Sequence, residues 1–274
     1  MRSASRRITI RFTNNSAEGF PDGSVLVAVG DGVYMIVLGI DTATPGLGVA
    51  LAGPDGLLVE LSANVGLRHA QGLLPAVERA LADAELGVEH VEAVAVTIGP
   101  GSFTSVRIGL NTAKGLCMAR EIPLIGISTL AAAAGRIPFA DFPVVPWLDA
   151  KRREVYAGVY DTSTGFPKSI EADSVIAPAE WLEQHDGPAV FLGDGAQVYR
   201  DEIIARLGDA ARFAPEWIPA ASAGVVAALG RQMALAGETL DVDAAAPVYL
   251  RRPDAKTSAE RRRLTSDERR KMDA

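Results

Sequence analysis

Six consecutive residues, Gly99-Pro100-Gly101-Ser102-Phe103-Thr104, stand where a run of Val and Ala gives way to a helical pattern. Glycines between a strand and a helix N-terminus leave backbone N–H groups free to meet an anion. The loop lacks the Lys-Ser/Thr ending of a P-loop, so plain turn geometry is an equal reading. Arg107 and Lys114, seven residues apart on the same helix, can add positive charge or simply face solvent. Asp41 and Thr42 close the first apolar run and can position a metal-bound phosphate, and Asp149 with Lys151 can do so from a second unit. The alternative is that each Asp organises a turn. Gly193-Asp194-Gly195-Ala196 can let the backbone approach an adenosine, or can only end a strand before a helix. Asp41, Thr42, Gly99, Gly101, Ser102, Gly193 and Gly195 are therefore the candidate residues of a vestigial nucleotide site.

Nucleophilic catalysis has two candidates, Ser102 and Cys117, and neither has a recognisable base. Cys117 falls inside an apolar helix stripe, where it behaves as a small hydrophobe. Both are rejected as catalysts. His69 opens a helix and has no second histidine one turn away, so a helix-start or interface role is expected over metal ligation. With only His90 and His185 besides, no Cys/His pair stands at zinc spacing, and no metal is expected.

The elements that must hold these residues read clearly from residue 35 on. Apolar runs over 36–40, 47–51 and 57–61, separated by tight turns, predict an antiparallel meander. Leu73, Val77, Ala80, Leu81 and Ala84 recur at helical spacing over 69–85. A buried strand over 91–98, a helix to about residue 119 capped by Ser102 or Thr104, and a strand over 123–127 complete the unit. The pattern of 144–149 followed by 154–160 echoes that of 36–41 followed by 47–51. Asp41 and Asp149 lie 108 residues apart, which predicts a duplicated α/β unit. Helices over 178–184, 198–207 and 220–236 and a strand over 189–192 follow. The expected organisation is an N-terminal extension or mis-called start over 1–34, with Met35 the alternative start, then lobes over 35–135 and 136–252 and a charged tail over 253–274. A stray strand over 8–12 is also expected.

Composition narrows the function class. About half of the 274 residues are apolar, enough for two cored units. No apolar run approaches the roughly 18 residues needed to cross a bilayer, and 25–29 is too short for a signal-peptide core, so a cytoplasmic location without membrane contact is expected. The net charge is -7, and residues 35–250 alone hold 14 Lys/Arg against 26 Asp/Glu. So acidic a body repels a phosphate backbone, so RNA is expected to be held mainly by a partner.

Several segments together resemble the TsaB (YeaZ) family: Ile40-Asp41-Thr42-Ala43-Thr44, His69 with Leu73-Leu74-Pro75, the stretch Gly99 to Gly109, Ala113-Lys114-Gly115-Leu116, and Pro247-Val248-Tyr249-Leu250-Arg251. One departure is Ser105, where the family usually has glycine. The resemblance implies a two-lobed actin-like (ASKHA) fold with duplicated βββαβαβ-type units. It implies a non-catalytic subunit that pairs with TsaD, a paralogue holding a metal through two histidines and transferring a threonylcarbamoyl group to adenosine 37 of transfer RNAs that read codons beginning with A. TsaE, an ATPase, joins the pair, and TsaC supplies the threonylcarbamoyl adenylate. ATP or ADP is expected only at the level of that complex, and transfer RNA mainly through it.

In the family two N-lobe helices pack against their counterparts in TsaD, and the same face supports homodimers when the partner is missing. The resemblance implies an interface of His69, Leu73, Leu74, Val77, Val106, Arg107, Leu110, Lys114 and Met118, where Gly109, Ala113 and Gly115 permit close helix approach. The competing reading is an ATP-dependent kinase of the actin-like superfamily, which the two Asp turns and Gly-rich loops permit. A protease has no nucleophile or metal site to build on. Direct RNA binding by Arg261-Arg262-Arg263 and Arg269-Arg270-Lys271 is the third reading, against a merely solvated tail.

Overall fold

Val37–Asp41, buried along its whole length, forms β1 and sits at the centre of the first sheet. A strand hidden on both faces must carry apolar side chains without alternation, which its VLGID sequence does. The computed structural model describes residues 35–66, 68–220 and 222–251. The segments read as an extension (1–34, with the strand over 8–12) and as a tail (253–274) lie outside the described residues.

β2 (Gly46–Gly53) and β3 (Gly56–Asn64) continue antiparallel from β1, while β4 (Ala93–Gly99) and β5 (Leu124–Ser128) add parallel on its other side. The spatial order is β3-β2-β1-β4-β5. α1 (His69–Asp83) and α2 (Phe103–Arg120) cover one face, where Leu73, Val77, Leu81, Leu110 and Cys117 meet Leu38, Ile40, Val49 and Val96 in one core.

After α3 (Thr129–Ala134) the chain repeats itself. β6 (Val144–Asp149), β7 (Val155–Asp161) and β8 (Lys168–Ile176) form an antiparallel meander, and β9 (Ala189–Leu192) and β10 (Ala211–Phe213) add parallel, giving the order β10-β9-β6-β7-β8. Each sheet thus places its first strand in the middle, two antiparallel neighbours on one side and two parallel ones on the other. That repetition is the duplicated α/β unit expected from the paired Asp turns, in the actin-like arrangement that the resemblance implies. α4 (Pro178–Gln184), α5 (Asp194–Val198) and α6 (Arg200–Leu207) flank the second sheet, whose core centres on Trp147, Trp181 and Phe191 packed edge to face. The single helix expected over 198–207 is two helices that meet at Tyr199.

The division into lobes over 35–135 and 136–252 does not follow the packing at the C-terminal end. α7 (Ala223–Leu235) returns to the first sheet and lies on the face opposite α1 and α2, with Ala223 and Ala227 packed against Ala50 and Ala52. Alanines here bring helix and sheet backbones close, and Gly39 sharpens this, since a Cβ on it would stand 2.5 Å from the Ala223 carbonyl oxygen. The chain then runs on as a strap. Leu240 N–H donates to Leu124 O, Lys114 Nζ to the carbonyls of Asp243 and Ala245, and Val248 N–H to Ile98 O. At its end Arg251 donates from Nη1 to Ala150 O and pairs with Glu154, both in the β6–β7 turn of the second sheet.

Candidate functional site

Five of the seven candidate nucleotide residues come together where β1 ends and α2 begins. Asp41 is fully buried, and its carboxylate is spent inside the protein. Oδ1 accepts from the Ala43 N–H at 3.2 Å and Thr97 Oγ1 at 3.0 Å, and Oδ2 accepts from the Ser222 N–H at 3.0 Å. Burial raises its pKa above the ordinary carboxylate value, against the pull of these hydrogen bonds. Ser222 is the N-cap of α7, its own Oγ accepting from the Val225 N–H. Asp41 therefore pins the start of α7 to the end of β1.

Thr42 is equally sealed, donating from Oγ1 to Ser105 O at 2.7 Å. Gly101 lets the loop cross the β1–β2 turn, since a Cβ there would stand 2.3 Å from Ala43 O, the oxygen that accepts the Ser102 N–H. Gly99 lies against the strap at Val248. Ser102 occupies the N-cap of α2 without a side-chain capping bond; its Oγ accepts from Ser105 Oγ at 3.1 Å instead. Ser105 is buried, and its hydroxyl also lies 3.4 Å from His69 Nδ1. His69 Nε2 faces the carbonyls of Thr44 and Gly46 at 3.0 and 3.3 Å, so it carries the proton and donates. Ser105 thus sits where the start of α2 meets α1 and the β1–β2 turn, its carbonyl bound by Thr42 and its hydroxyl beside His69.

Gly193 and Gly195 stand apart from this cluster, on the second sheet. Both lie against the Trp147–Leu148 backbone, and Asp194 Oδ1 accepts the N–H groups of Asp149 and Gly195. Asp149 itself is taken by the Lys151 amide and ammonium, the latter at 2.6 Å. Only Gly193 of the seven lines the cleft between the sheets, a space of about 390 Å³ walled by Pro45, Leu148, Leu192 and Ile218, with Thr44, Asn64 and Gln197 supplying polar groups. The charged residues on its lining are Asp194 and Glu216, and no described Lys or Arg faces it. An actin-like fold implies a nucleotide in such a cleft. A cleft whose charged lining residues are both carboxylates, and an Asp41 turned inward, do not fit a polyphosphate. Asn64 and Gln197 are cleft residues that sequence patterning did not single out, because an isolated amide at a strand end or in a short helix carries no spacing.

The nine residues expected at a partner interface divide sharply. Leu73, Val77 and Leu110 point into the core of the first lobe, Val106 is buried, and His69 is buried against carbonyls at the start of α1, so these five side chains are not exposed to a partner here. Lys114 is committed to the strap, and Arg107 donates to Tyr249 Oη while lying over Phe103, whose ring stacks on Tyr249. Leu74, 54 % exposed on α1, and Met118, 61 % exposed on α2, remain outward. Near Met118, Gly115 faces open space with nothing within 4 Å of a Cβ placed on it.

Cys117 is buried, and that burial pushes its thiol up to about 12. Alkylation by iodoacetamide at pH 8 is expected to be negligible in the native protein and fast in denaturant, because only the thiolate attacks. Native labelling at the rate of a free thiol, read by mass spectrometry, would contradict this placement. Among the described residues no group of three or more His, Cys, Asp and Glu is arranged to hold a metal, and no helix is long and apolar enough to cross a membrane.

Comparison with known proteins agrees with this architecture. Residues 63–259 match the family model described as "TsaD: tRNA N6-adenosine threonylcarbamoyltransferase". The protein named tRNA threonylcarbamoyladenosine biosynthesis protein TsaB from Bacillus subtilis is 31% identical over 81% of this chain and 96% of its own length. Its namesake from Escherichia coli is 36% identical over 79% and 95%. The solved structure titled "YeaZ from Pseudomonas aeruginosa" superposes with a TM-score of 0.67 at 28% identity, covering 79% of this chain and 100% of that one. Matched by such relatives over nearly their whole length, the chain belongs to the TsaB (YeaZ) family.

Proposed function

We propose that this chain is the accessory subunit that docks on a TsaD-type partner through α1 and α2 and sets it for threonylcarbamoyl transfer to adenosine 37 of transfer RNA, in the cytoplasm and with TsaE as a further associate. The observation that carries the reading is the outer side of those helices, where Leu74 on α1 and Met118 with the bare backbone of Gly115 on α2 are left uncovered among the described residues. Small and apolar residues at such a place allow a second pair of helices to approach closely. The names of the relatives support a role in this modification. The consumed Asp41 and the carboxylate-lined cleft support a chain that works through a partner instead of turning over ATP itself, and they weigh against a kinase. Any nucleotide is then the property of the assembled complex, and the same helix face supports a homodimer when the partner is missing.

The test is reconstitution of threonylcarbamoyl transfer from purified TsaC, TsaD and TsaE, with and without this chain. Product that forms only on its addition, while the chain alone is inactive, is the expected result. Equal product in its absence, together with no complex with TsaD, overturns the proposal.

A further inference from the structure

The β6–β7 turn carries Lys151, Arg152 and Arg153 in succession, and all three adopt left-handed backbone angles, with φ of 61°, 57° and 62°. Such angles cost a residue with a Cβ about 1 kcal/mol or more, and glycine or asparagine relieves the cost. The turn is held in that state from both ends. Ala150 N–H donates to Glu154 O and Glu154 N–H to Lys151 O. Arg251, arriving at the end of the strap, binds Ala150 O and Glu154.

The charge placed there is out of keeping with its surroundings. Residues 35–250 hold 14 Lys/Arg against 26 Asp/Glu, and three of those 14 cations occupy this one turn, all exposed. Among the acidic groups that face it, Asp149 pairs with Lys151, Glu154 pairs with Arg251, and Asp194 lies within electrostatic reach of Lys151. Lys151, Arg152 and Arg153 stand exposed side by side, with Arg251 at their base. Tyr199 stands within reach of both Lys151 and Arg153 and adds a half-exposed ring.

We infer that the β6–β7 turn, with Arg251 at its base, is a contact for the phosphate backbone of the transfer RNA brought to the complex. The inference builds on the proposed function. Guanidinium groups bind phosphate oxygens in bidentate fashion, and a convex, braced tip fits a polyanion groove with little ordering cost. On so acidic a body, a basic projection favours RNA approach from its own side.

The variant Lys151→Gly/Arg152→Gly/Arg153→Gly removes the charges and relieves the backbone at once, so its folding is not at risk. Transfer RNA is titrated against the heterodimer and against the lone chain over a series of KCl concentrations. The variant is expected to bind about ten-fold more weakly at moderate salt, with the slope of log K against log salt reduced by about two. Affinity and slope unchanged from wild type overturn the assignment. Loss of binding to TsaD in the same variant also overturns it, making the turn a protein interface. Truncation after Arg251 is expected to keep most of the slope, and complete loss there would move the contact to the tail. Heterodimer formation by the wild-type chain, read separately by calorimetry, tests the proposed function alone, since the lone-chain titration still reports on the turn.

Discussion

Exchanging Leu74 and Met118 together for arginine is expected to weaken binding to a TsaD-type partner by about a hundred-fold or more while leaving the chain folded. Truncating a well-buried interface anchor typically costs at least about 2 kcal/mol, and placing a charge in its pocket adds desolvation. On the free chain both side chains are more than half exposed, so their replacement changes stability by no more than about 0.5 kcal/mol. Titration calorimetry and a urea unfolding curve on the same preparation separate the two effects. Leu110→Arg is the contrasting variant. Its side chain lies in the core with Leu73 and Val77, and burying an unpaired guanidinium there is expected to prevent folding outright. Wild-type affinity in the folded double variant would mean that the partner docks elsewhere.

Asp41→Ala is expected to lower stability by about 3–5 kcal/mol, because the Ala43 and Ser222 amides and the Thr97 hydroxyl would all lose their acceptor inside the protein. In a chain of this size that corresponds to a fall in Tm of roughly 10 °C or more. Asp41→Asn is expected to lose less. Its oxygen can keep two of the three donors, but its amide then faces the third, donor against donor. A phosphate-organising Asp would behave in the opposite way, leaving stability intact when removed. A urea midpoint within about 0.5 kcal/mol of wild type for Asp41→Ala would therefore restore that role.

The contrast between Asp41 and Asp149 shows how far the residue pattern carries. Their spacing announced the duplication, and the two sheets carry it strand for strand. Spacing says nothing about exposure, and the two copies have diverged: one carboxylate is sealed under α7 and the other is bound to an exposed lysine. α1 teaches the same lesson. The recurrence of Leu73, Val77, Ala80 and Leu81 marks an apolar face, but a face meant for the home core and one meant for a partner have the same period. The outward residue is Leu74, which stands off that stripe. Three elements had no readable period. α3 is a run of alanines without a polar side, β10 has three residues, and β8, KSIEADSVI, is an edge strand exposed over its first half. Nor does any local signal say which sheet α7 covers, since its Ala-rich face suits either. The glycines of 99–101 and of 193–195 were legible as turns in either reading, and their neighbours in space decided between the two.

The return of α7 and the strap to the first sheet has a consequence for synthesis on the ribosome. All five strands of that sheet have emerged once Ser128 is made, yet the helix that covers Ala50 and Ala52 ends at Leu235, and the bond from Leu240 to the β5 edge comes later still. At about 5–20 residues per second the nascent sheet waits roughly 5–20 s with one face and one edge open. Through that interval the chain depends on the small, weakly adhesive alanines of the uncovered face, and on whatever holds nascent chains apart, to avoid pairing with a neighbour.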